Sequence, residues 1–276
     1  MHRRQFLAAT AGATAVGLAG CRSLFETRSA RSPPVLDDRP DAVYVPTHVE
    51  GMQMVGTQTP GEYGVALTYS FPHRFWQTDV AETNKVDIDG DLHLMTTVWD
   101  RETGTVVPND GIRATVTKDG ETVASRRLWS MLSQNMGVHA GDNLSLDGDG
   151  TYDVEVSVGP FPGRATGGFV DRFGSVTTAS FSMEFSRSQL EETSFRRLSD
   201  REGERGAVDP MEMEMVPVAS TPGPEEMPGT VLAEPGSGDA TFVVARLDSP
   251  PAGIDESGAY LAVSARTPYN AYPLPM

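Results

Sequence analysis

Short runs of alternating apolar and polar residues, separated by turn signals, recur between residues 42 and 185 and set the strongest limit on the fold. In the clearest run, from Thr151 to Val158, Tyr152 and three valines alternate with polar residues. Alternate side chains of a strand point to opposite faces, so such a strand buries one face and exposes the other. The Asp119-Gly120 step between two β-rich runs indicates a hairpin. The pattern predicts an all-β fold, an antiparallel sandwich or barrel.

The turn from Leu146 to Tyr152 narrows this prediction. Its two Asp-Gly steps before a strand tyrosine resemble the turn that carries a tyrosine corner in immunoglobulin-like sandwiches, where the phenol hydrogen-bonds to nearby backbone. The aspartates leave a calcium loop as an alternative, but their spacing is incomplete for one. The favoured interpretation is a plain turn in an immunoglobulin-like antiparallel β-sandwich.

The first residues of the chain form a targeting segment. Arg3 and Arg4 precede Gln-Phe-Leu, as in a twin-arginine signal, and Leu18-Ala19-Gly20-Cys21 matches the lipobox at which a cysteine is acylated. The apolar run from Phe6 to Ala19 is too short to cross roughly 30 Å of hydrocarbon. We therefore expect export, followed by lipid anchoring through Cys21 at the extracytoplasmic face of the cell membrane.

Composition and turn residues divide the rest of the chain. Residues 22–40 are rich in Arg, Ser and Pro, which is typical of a flexible tether. The tail after residue 229 holds two strand candidates but is too short for a second sandwich of about 100 residues. The predicted segments are a signal at 1–21, a tether at 22–40, a β-sandwich at 41–198, an acidic Pro/Gly/Met linker at 199–229 and a short β extension of unknown role at 230–276.

The formal charge of −16 is carried by a chain with only two lysines. Such an acidic surface repels itself, and high salt screens that repulsion, so the composition favours a halophilic protein. A surface that concentrates cations near a metal site is the alternative interpretation. The sign of the charge disfavours nucleic acid as a partner.

The sequence contains no nucleophile elbow, P-loop, dinucleotide fingerprint or His-Glu-x-x-His motif, so we do not expect an enzyme. Cys21 is the only cysteine, and a lipid on its sulfur would exclude both a thiolate ligand and an internal disulfide. Any metal site would therefore be built from histidine, methionine and carboxylate side chains.

Histidines and methionines lie close together at several points of the chain. In the run from Asp91 to Trp99, His93 and Met95 share the face opposite to Leu92 and Leu94. Imidazole with thioether suits copper, and imidazole with oxygen ligands suits iron. A metal site or an interface would use that second face. The alternative is that Met95 is core filler beside a half-exposed histidine.

Two further segments supply candidate ligands. The stretch from Met131 to His139 has no charged side chain, and we predict a loop between strands that brings soft ligands to a sheet edge. Met52 and Met54 lie on one side of an extended segment, where they either pack in the core or donate thioethers. His48, just upstream, is predicted to be a solvated residue rather than a ligand.

Four short motifs, in this order, resemble those of the bacterial periplasmic ferrous-iron transport protein family. The resemblance implies an immunoglobulin-like sandwich that is often dimeric and that binds copper beside an iron permease. The motifs are Gly51-Met52-Gln53-Met54, Asp91-Leu92-His93-Leu94, the segment from Met131 to His139, and Gly150-Thr151-Tyr152.

In that family a His-Leu-Glu strand, a methionine shortly before a loop histidine, and a further histidine near the last strands surround the metal. The resemblance therefore implies His93, Met131 and His139 as ligands here. Met95 stands where the family has glutamate, and the family's last histidine has no counterpart between Phe161 and Phe185. These departures would shift the preference of the site toward monovalent copper, unless His48, Met52 or Met54 completes the ligand shell in another way.

Two hypotheses follow. The preferred one is a lipid-anchored protein, an archaeal halophile-type member of that family, which captures copper or iron and passes it to a permease, with a homodimer as a further expectation. The alternative is an adhesion or interaction sandwich whose methionines are core residues and whose histidines are incidental. In that case the aromatic segment from Phe71 to Trp76 would be a contact surface. The predicted metal-site residues are His93, Met131, His139, Met95, Met52 and Met54.

Overall fold

Antiparallel strands dominate the computed structural model, which describes residues 35–78, 82–255 and 257–274. Arg3, Arg4 and Cys21 lie outside the described residues. No helix within those three ranges is long and apolar enough to cross a membrane. The elements are β1 (His48–Glu50), β2 (Gln53–Gln58), β3 (Tyr63–Ser70), β4 (Phe75–Thr78), β5 (Thr83–Val86), β6 (Leu92–Asp100), β7 (Ile112–Lys118), β8 (Glu121–Arg127), β9 (Trp129–Ser133), β10 (Gly137–Leu144), β11 (Gly150–Val158), β12 (Thr177–Phe185), α1 (Arg187–Glu191), β13 (Phe195–Arg197), β14 (Thr230–Ala233), β15 (Gly236–Ser237), β16 (Ala240–Leu247) and β17 (Tyr260–Arg266), with 3-10 turns at Gly167–Phe169 and Pro224–Glu226.

Two sheets form the predicted β-sandwich. One has the strand order β2-β3-β6-β10-β9, and the other has the order β12-β11-β7-β8. All of their strand pairs are antiparallel. The Asp119-Gly120 step joins β7 to β8 as predicted, with Lys118 paired to Glu121. The all-β fold class is confirmed.

The core lies between the two sheets and follows the alternation in the sequence. On β11, Tyr152, Val154, Val156 and Val158 are at most 1% exposed, while Thr151, Asp153 and Glu155 on the same strand are exposed. Burying each such side chain contributes about 1.5–3 kcal/mol. The same cluster takes Leu92 and Leu94 from β6 and Phe181 from β12. The alternation of apolar and polar residues along the strands thus determines which faces of the sheets meet.

The turn before β11 has the tyrosine-corner geometry expected from the sequence. The Tyr152 hydroxyl donates a 2.6 Å hydrogen bond to the Gly148 carbonyl. The Lys118 ammonium donates to the carbonyls of Asp147 and Asp149, so a protein cation already occupies the oxygens of this turn. This arrangement is a plain turn rather than a calcium loop.

The other face of the five-stranded sheet is also covered. Trp99 of β6 packs there with Val216 and Ala219, which belong to the segment predicted to be a linker, and both of these residues are buried. Gly64 makes room for the indole, because a Cβ at this position would lie 2.1 Å from Trp99. The part of this segment around Val216 and Ala219 therefore lies against the sandwich through apolar contacts.

The C-terminal strands form a small sheet of their own, in which β16 pairs with β14, β15 and β17. The two strands predicted in the tail are confirmed as β16 and β17. Residues beyond β17 return to the β9–β10 turn, where Asn270 and Tyr272 donate hydrogen bonds of 2.8 and 2.7 Å to the Gln134 carbonyl. These contacts place the C-terminal segment beside the five-stranded sheet.

Candidate metal site

The outer face of the five-stranded sheet forms the floor of a cleft of about 1120 Å³. Its walls come from segments far apart in the sequence: residues 42–52, the β3–β4 region, the β9–β10 hairpin and residues 267–272. The described part of the chain contains four histidines, and all four line this cleft: His48, His73, His93 and His139. Four methionines line it as well: Met52, Met95, Met131 and Met136.

Four of the predicted ligands surround Gly141 on the sheet. Met95 is the register partner of Gly141 across β6 and β10, and His93 pairs with Asn143, two residues further along β10. Across β9 and β10, Met131 pairs with His139. Direct partners lie about 5 Å apart and diagonal neighbours about 7–8 Å apart. His93, Met95, Met131 and His139 are therefore neighbours of one position that has no side chain of its own.

The His93 imidazole leans over that position. A Cβ built on Gly141 would lie 2.7 Å from His93 Nε2 and 3.0 Å from the Leu94 carbonyl oxygen. Only glycine leaves room for the imidazole at this position. The geometry provides a cradle above Gly141 into which Nε2 of His93 projects.

Asn143 fixes the tautomer of His93. Its amide accepts a hydrogen bond from the His73 backbone N–H through Oδ1 and donates one to the His73 carbonyl through Nδ2, at 3.0 and 2.7 Å. The amide therefore presents Oδ1 to His93 Nδ1, 2.8 Å away. Since that oxygen only accepts, Nδ1 carries the proton and Nε2 keeps its lone pair. Such an outer partner orients an imidazole for metal binding.

His139 is prepared in the same way. Its Nδ1 lies 3.0 Å from the Gly137 carbonyl oxygen, which can only accept, so Nδ1 again carries the proton. The Nε2 lone pair of His139 is then available to a ligand. Both histidines predicted from the sequence are thus held as neutral imidazoles with the same nitrogen unprotonated.

Burial keeps these rings neutral. It lowers the pKa of His93 to about 3, with a further contribution from the neighbouring His73. It lowers the pKa of His73 to about 4, with repulsion from His48 and His139 adding to the effect. The pKa of His139 is also lowered by burial, although its bond to Gly137 acts in the opposite direction. At neutral pH all three rings are therefore uncharged, and each has a nitrogen lone pair.

One cleft residue outside the predicted set, His73, stands next to His93, and a second, Glu50, stands next to His73. The His73 ring packs edge-on against His93, with ring centroids 5.1 Å apart, and Glu50 Oε2 lies 3.6 Å from His73 Nε2. Glu50 is buried although its side chain ends in a carboxyl group. In the sequence, His73 belongs to an aromatic segment and Glu50 to a short strand. Glu50 also lies close to Met52 in the sequence, and His73 lies shortly after the end of β3. These positions are the only local signals that could have brought the two residues into the prediction.

The structure places five of the six predicted ligands in the cleft and leaves one outside it. Met52 lines the cleft, whereas Met54 is 43% exposed and is not among the lining residues. The segment from Met131 to His139 was predicted as a loop, and this prediction is wrong, because it forms β9, a tight turn and β10. The pairing of these strands is what brings Met131 opposite His139.

Histidines and carboxylates alone do not make a preformed site. Across residues 35–78, 82–255 and 257–274, no three His, Cys, Asp or Glu side chains lie close enough together to hold a metal ion. The donors around Gly141 are instead two imidazoles and two thioethers. Any ion bound there would need at least one methionine ligand.

Comparison with known families divides the chain into two matched parts. Residues 55–189 match the family described as Fe2+ transport protein, and residues 225–276 match a family described as a domain of unknown function (DUF7350). None of the curated proteins matches the chain significantly. The first match supports the family resemblance seen in the motifs.

Two solved structures illustrate the similarity. A copper-bound variant of FetP from uropathogenic Escherichia coli strain F11 is 18% identical, with 49% of this chain and 97% of that chain covered and a TM-score of 0.38. The copper-reconstituted P19 protein from Campylobacter jejuni is 15% identical, with 49% and 96% covered and a TM-score of 0.39. The segment that matches the Fe2+ transport protein family contains His93, Met95, Met131 and His139.

Proposed function

We propose that this chain is a lipid-anchored, extracytoplasmic metal-binding protein that captures iron or copper and passes it to a membrane permease. The observation that carries the proposal is the ring of donors around Gly141. His93, Met95, Met131 and His139 are brought there from three strands, and the two imidazoles keep Nε2 unprotonated. The match of residues 55–189 to the Fe2+ transport protein family supports the same function.

The metal in this proposal is cargo. Asn143 and the Gly137 carbonyl hold the two imidazoles in the tautomer that binds an ion. The cleft is open to solvent, and two of its lining residues, Trp76 and Trp129, are 44% and 48% exposed. An ion bound above Gly141 would therefore be sheltered by the walls yet remain within reach of a partner at the opening.

The test is metal analysis of the purified protein after washing with a chelator and reloading with iron or copper. The wild type should hold one equivalent, and the double variant His93→Ala with His139→Ala should hold far less. Met54→Ala removes a thioether outside the cleft and serves as the matched control. Equal, sub-stoichiometric metal in the wild type and the double variant would reject the proposal.

The anchoring part of the proposal rests on the lipobox and is tested separately. Replacing the acylated sulfur in Cys21→Ser should move the protein from the membrane fraction to the soluble extracytoplasmic fraction. A variant that stays in the membrane fraction after a high-salt wash would contradict lipid attachment at this residue.

A protein-interaction sandwich is the second candidate function. Trp76, Trp129 and Leu132 line the cleft and are each more than 40% exposed, and exposed aromatic side chains are enriched at interfaces. If partner binding were the whole function, the wild type would hold little metal, and the double histidine variant would hold the same small amount. If metal capture is the function, the same aromatic edge is where we expect the permease to dock.

A further inference from the structure

The charge of the cleft differs sharply from that of the whole protein. The chain has a formal charge of −16, yet among the described residues that line the cleft only Glu50 and Arg74 have side chains of the charged type. The formal charges of these two side chains cancel. A cation that enters the cleft meets almost no net negative charge.

This balance favours an ion of low charge. The cost of taking an ion out of water rises steeply with its charge and must be offset by opposite charges or by strong donors. A site for a hard divalent cation offsets that cost with several carboxylates, and the ring around Gly141 contains none. Glu50 lies beside His73 rather than in that ring.

The donor atoms favour a soft ion. Thioethers select monovalent copper, whereas carboxylate and carbonyl oxygens suit harder divalent ions. Met95 is 3% exposed and stands directly opposite Gly141, so it is the same-face neighbour of His93 along β6 and the diagonal neighbour of His139 on β10. Met131 adds a second thioether from the other side.

From these observations we infer that the cleft binds monovalent copper in preference to divalent iron or copper, and that Met95 is the residue that determines this specificity. The inference rests on the proposed function and adds the charge class of the cargo. The ion would lie above Gly141, between the imidazole nitrogens and thioether sulfurs of the four residues that surround it on the sheet. No change in the oxidation state of the ion is involved.

The test is an anaerobic titration of the full exported chain with Cu+, Cu2+ and Fe2+ separately, with affinities measured by competition against a chromogenic chelator. The wild type should bind one Cu+ more tightly than either divalent ion. Met95→Leu, which conserves volume, should weaken Cu+ binding by at least roughly tenfold. Met54→Leu, the matched control outside the cleft, should leave the affinity unchanged.

A second variant tests whether the metal preference can be reversed. Met95→Glu places a hard, charged donor opposite Gly141, and it should weaken Cu+ binding while raising the affinity for Fe2+. Copper X-ray absorption of the loaded wild type should show sulfur scattering that is reduced in Met95→Leu. Folding of each variant is checked by its circular dichroism spectrum and its unfolding midpoint.

Three outcomes have distinct meanings. If the wild-type protein binds Fe2+ as tightly as Cu+, the inference is overturned, but the proposed function of metal capture is not. Met95→Leu with the Cu+ affinity of the Met54→Leu control would also overturn it, since Met95 would then determine nothing. Absence of stoichiometric binding of any of the three ions would overturn the proposed function together with the inference.

Discussion

The two faces of strand β6 are equally buried but chemically different. Leu92 and Leu94 on one face are 0% exposed, and His93 and Met95 on the other are 2% and 3% exposed. The first face packs into the sandwich core. The second is the floor of a cleft whose walls come from distant segments. Burial alone therefore does not distinguish a packing face from a site, whereas the kind of atom that is buried does.

The difference extends to how each face is held. On the core face, apolar side chains fill the space and need no particular partner. On the cleft face, polar rings are buried, and each has a hydrogen-bond acceptor that fixes its orientation. Burying a polar group without such a partner costs free energy. The cleft face is thus organised to present lone pairs rather than to maximise packing.

The largest effect that separates the two faces is expected from truncation of Leu94. Leu94→Ala removes a fully buried side chain from the core and should lower the free energy of unfolding by about 2–5 kcal/mol. Met95→Leu on the opposite face conserves volume and should cost less than about 1.5 kcal/mol. Urea unfolding of the metal-free proteins measures both values. Equal losses for the two variants would contradict the division between faces.

The pH dependence of stability sharpens the comparison further. The pKa of His93 is about 3 in the folded protein and about 6.5 in an unfolded chain. The unfolded state therefore binds more protons as the pH falls below about 6.5. The free energy of unfolding should decrease from there toward pH 3, by up to about 1.4 kcal/mol per pH unit for this residue.

Urea unfolding of the metal-free protein between pH 7 and pH 4 measures this slope. His93→Gln removes the titrating group, so the variant should show a shallower decline over the same range. Met54→Leu, at an exposed position outside the cleft, changes no titratable group and is the control, so it should retain the wild-type slope. A variant whose slope equals that of the wild type would show that the His93 ring is not kept neutral by burial.

A smaller effect is expected where the C-terminal segment meets the β9–β10 turn. Tyr272→Phe removes the hydroxyl that donates to the Gln134 carbonyl and should cost about 1 kcal/mol. Because this turn connects Met131 to His139, the exchange of amide hydrogens in β9 should become faster. Tyr269→Phe, on an exposed side chain in the same segment, is the control. Unchanged exchange in β9 would show that the segment does not restrain the hairpin.

The sequence predicted the core face well because strand alternation is a local signal. The spacing of Tyr152, Val154, Val156 and Val158 is sufficient to assign one face of β11 to the core, and β12 pairs with that strand so that its own apolar residues stand opposite the first three of them. The placement of His93 and Met95 on one face of β6 is equally local. Both features depend only on the two-residue period of a strand.

The cleft was harder to predict because its walls depend on long-range packing. Glu50 and His73 approach each other from different strands, and residues 267–272 reach the cleft through the Gln134 contacts. No local pattern encodes such meetings. The role of Gly141 was also missed, since a glycine shows its importance only when the neighbours across both strands are known.

The central claim is that an ion binds above Gly141 between the imidazole and thioether donors of the cleft face. Anomalous diffraction at the copper edge, from crystals loaded with Cu+ under anaerobic conditions, tests it most directly. The claim predicts one strong peak within bonding distance of His93 Nε2 and the Met95 sulfur. Peaks confined to surface carboxylates, with none in the cleft, would contradict it.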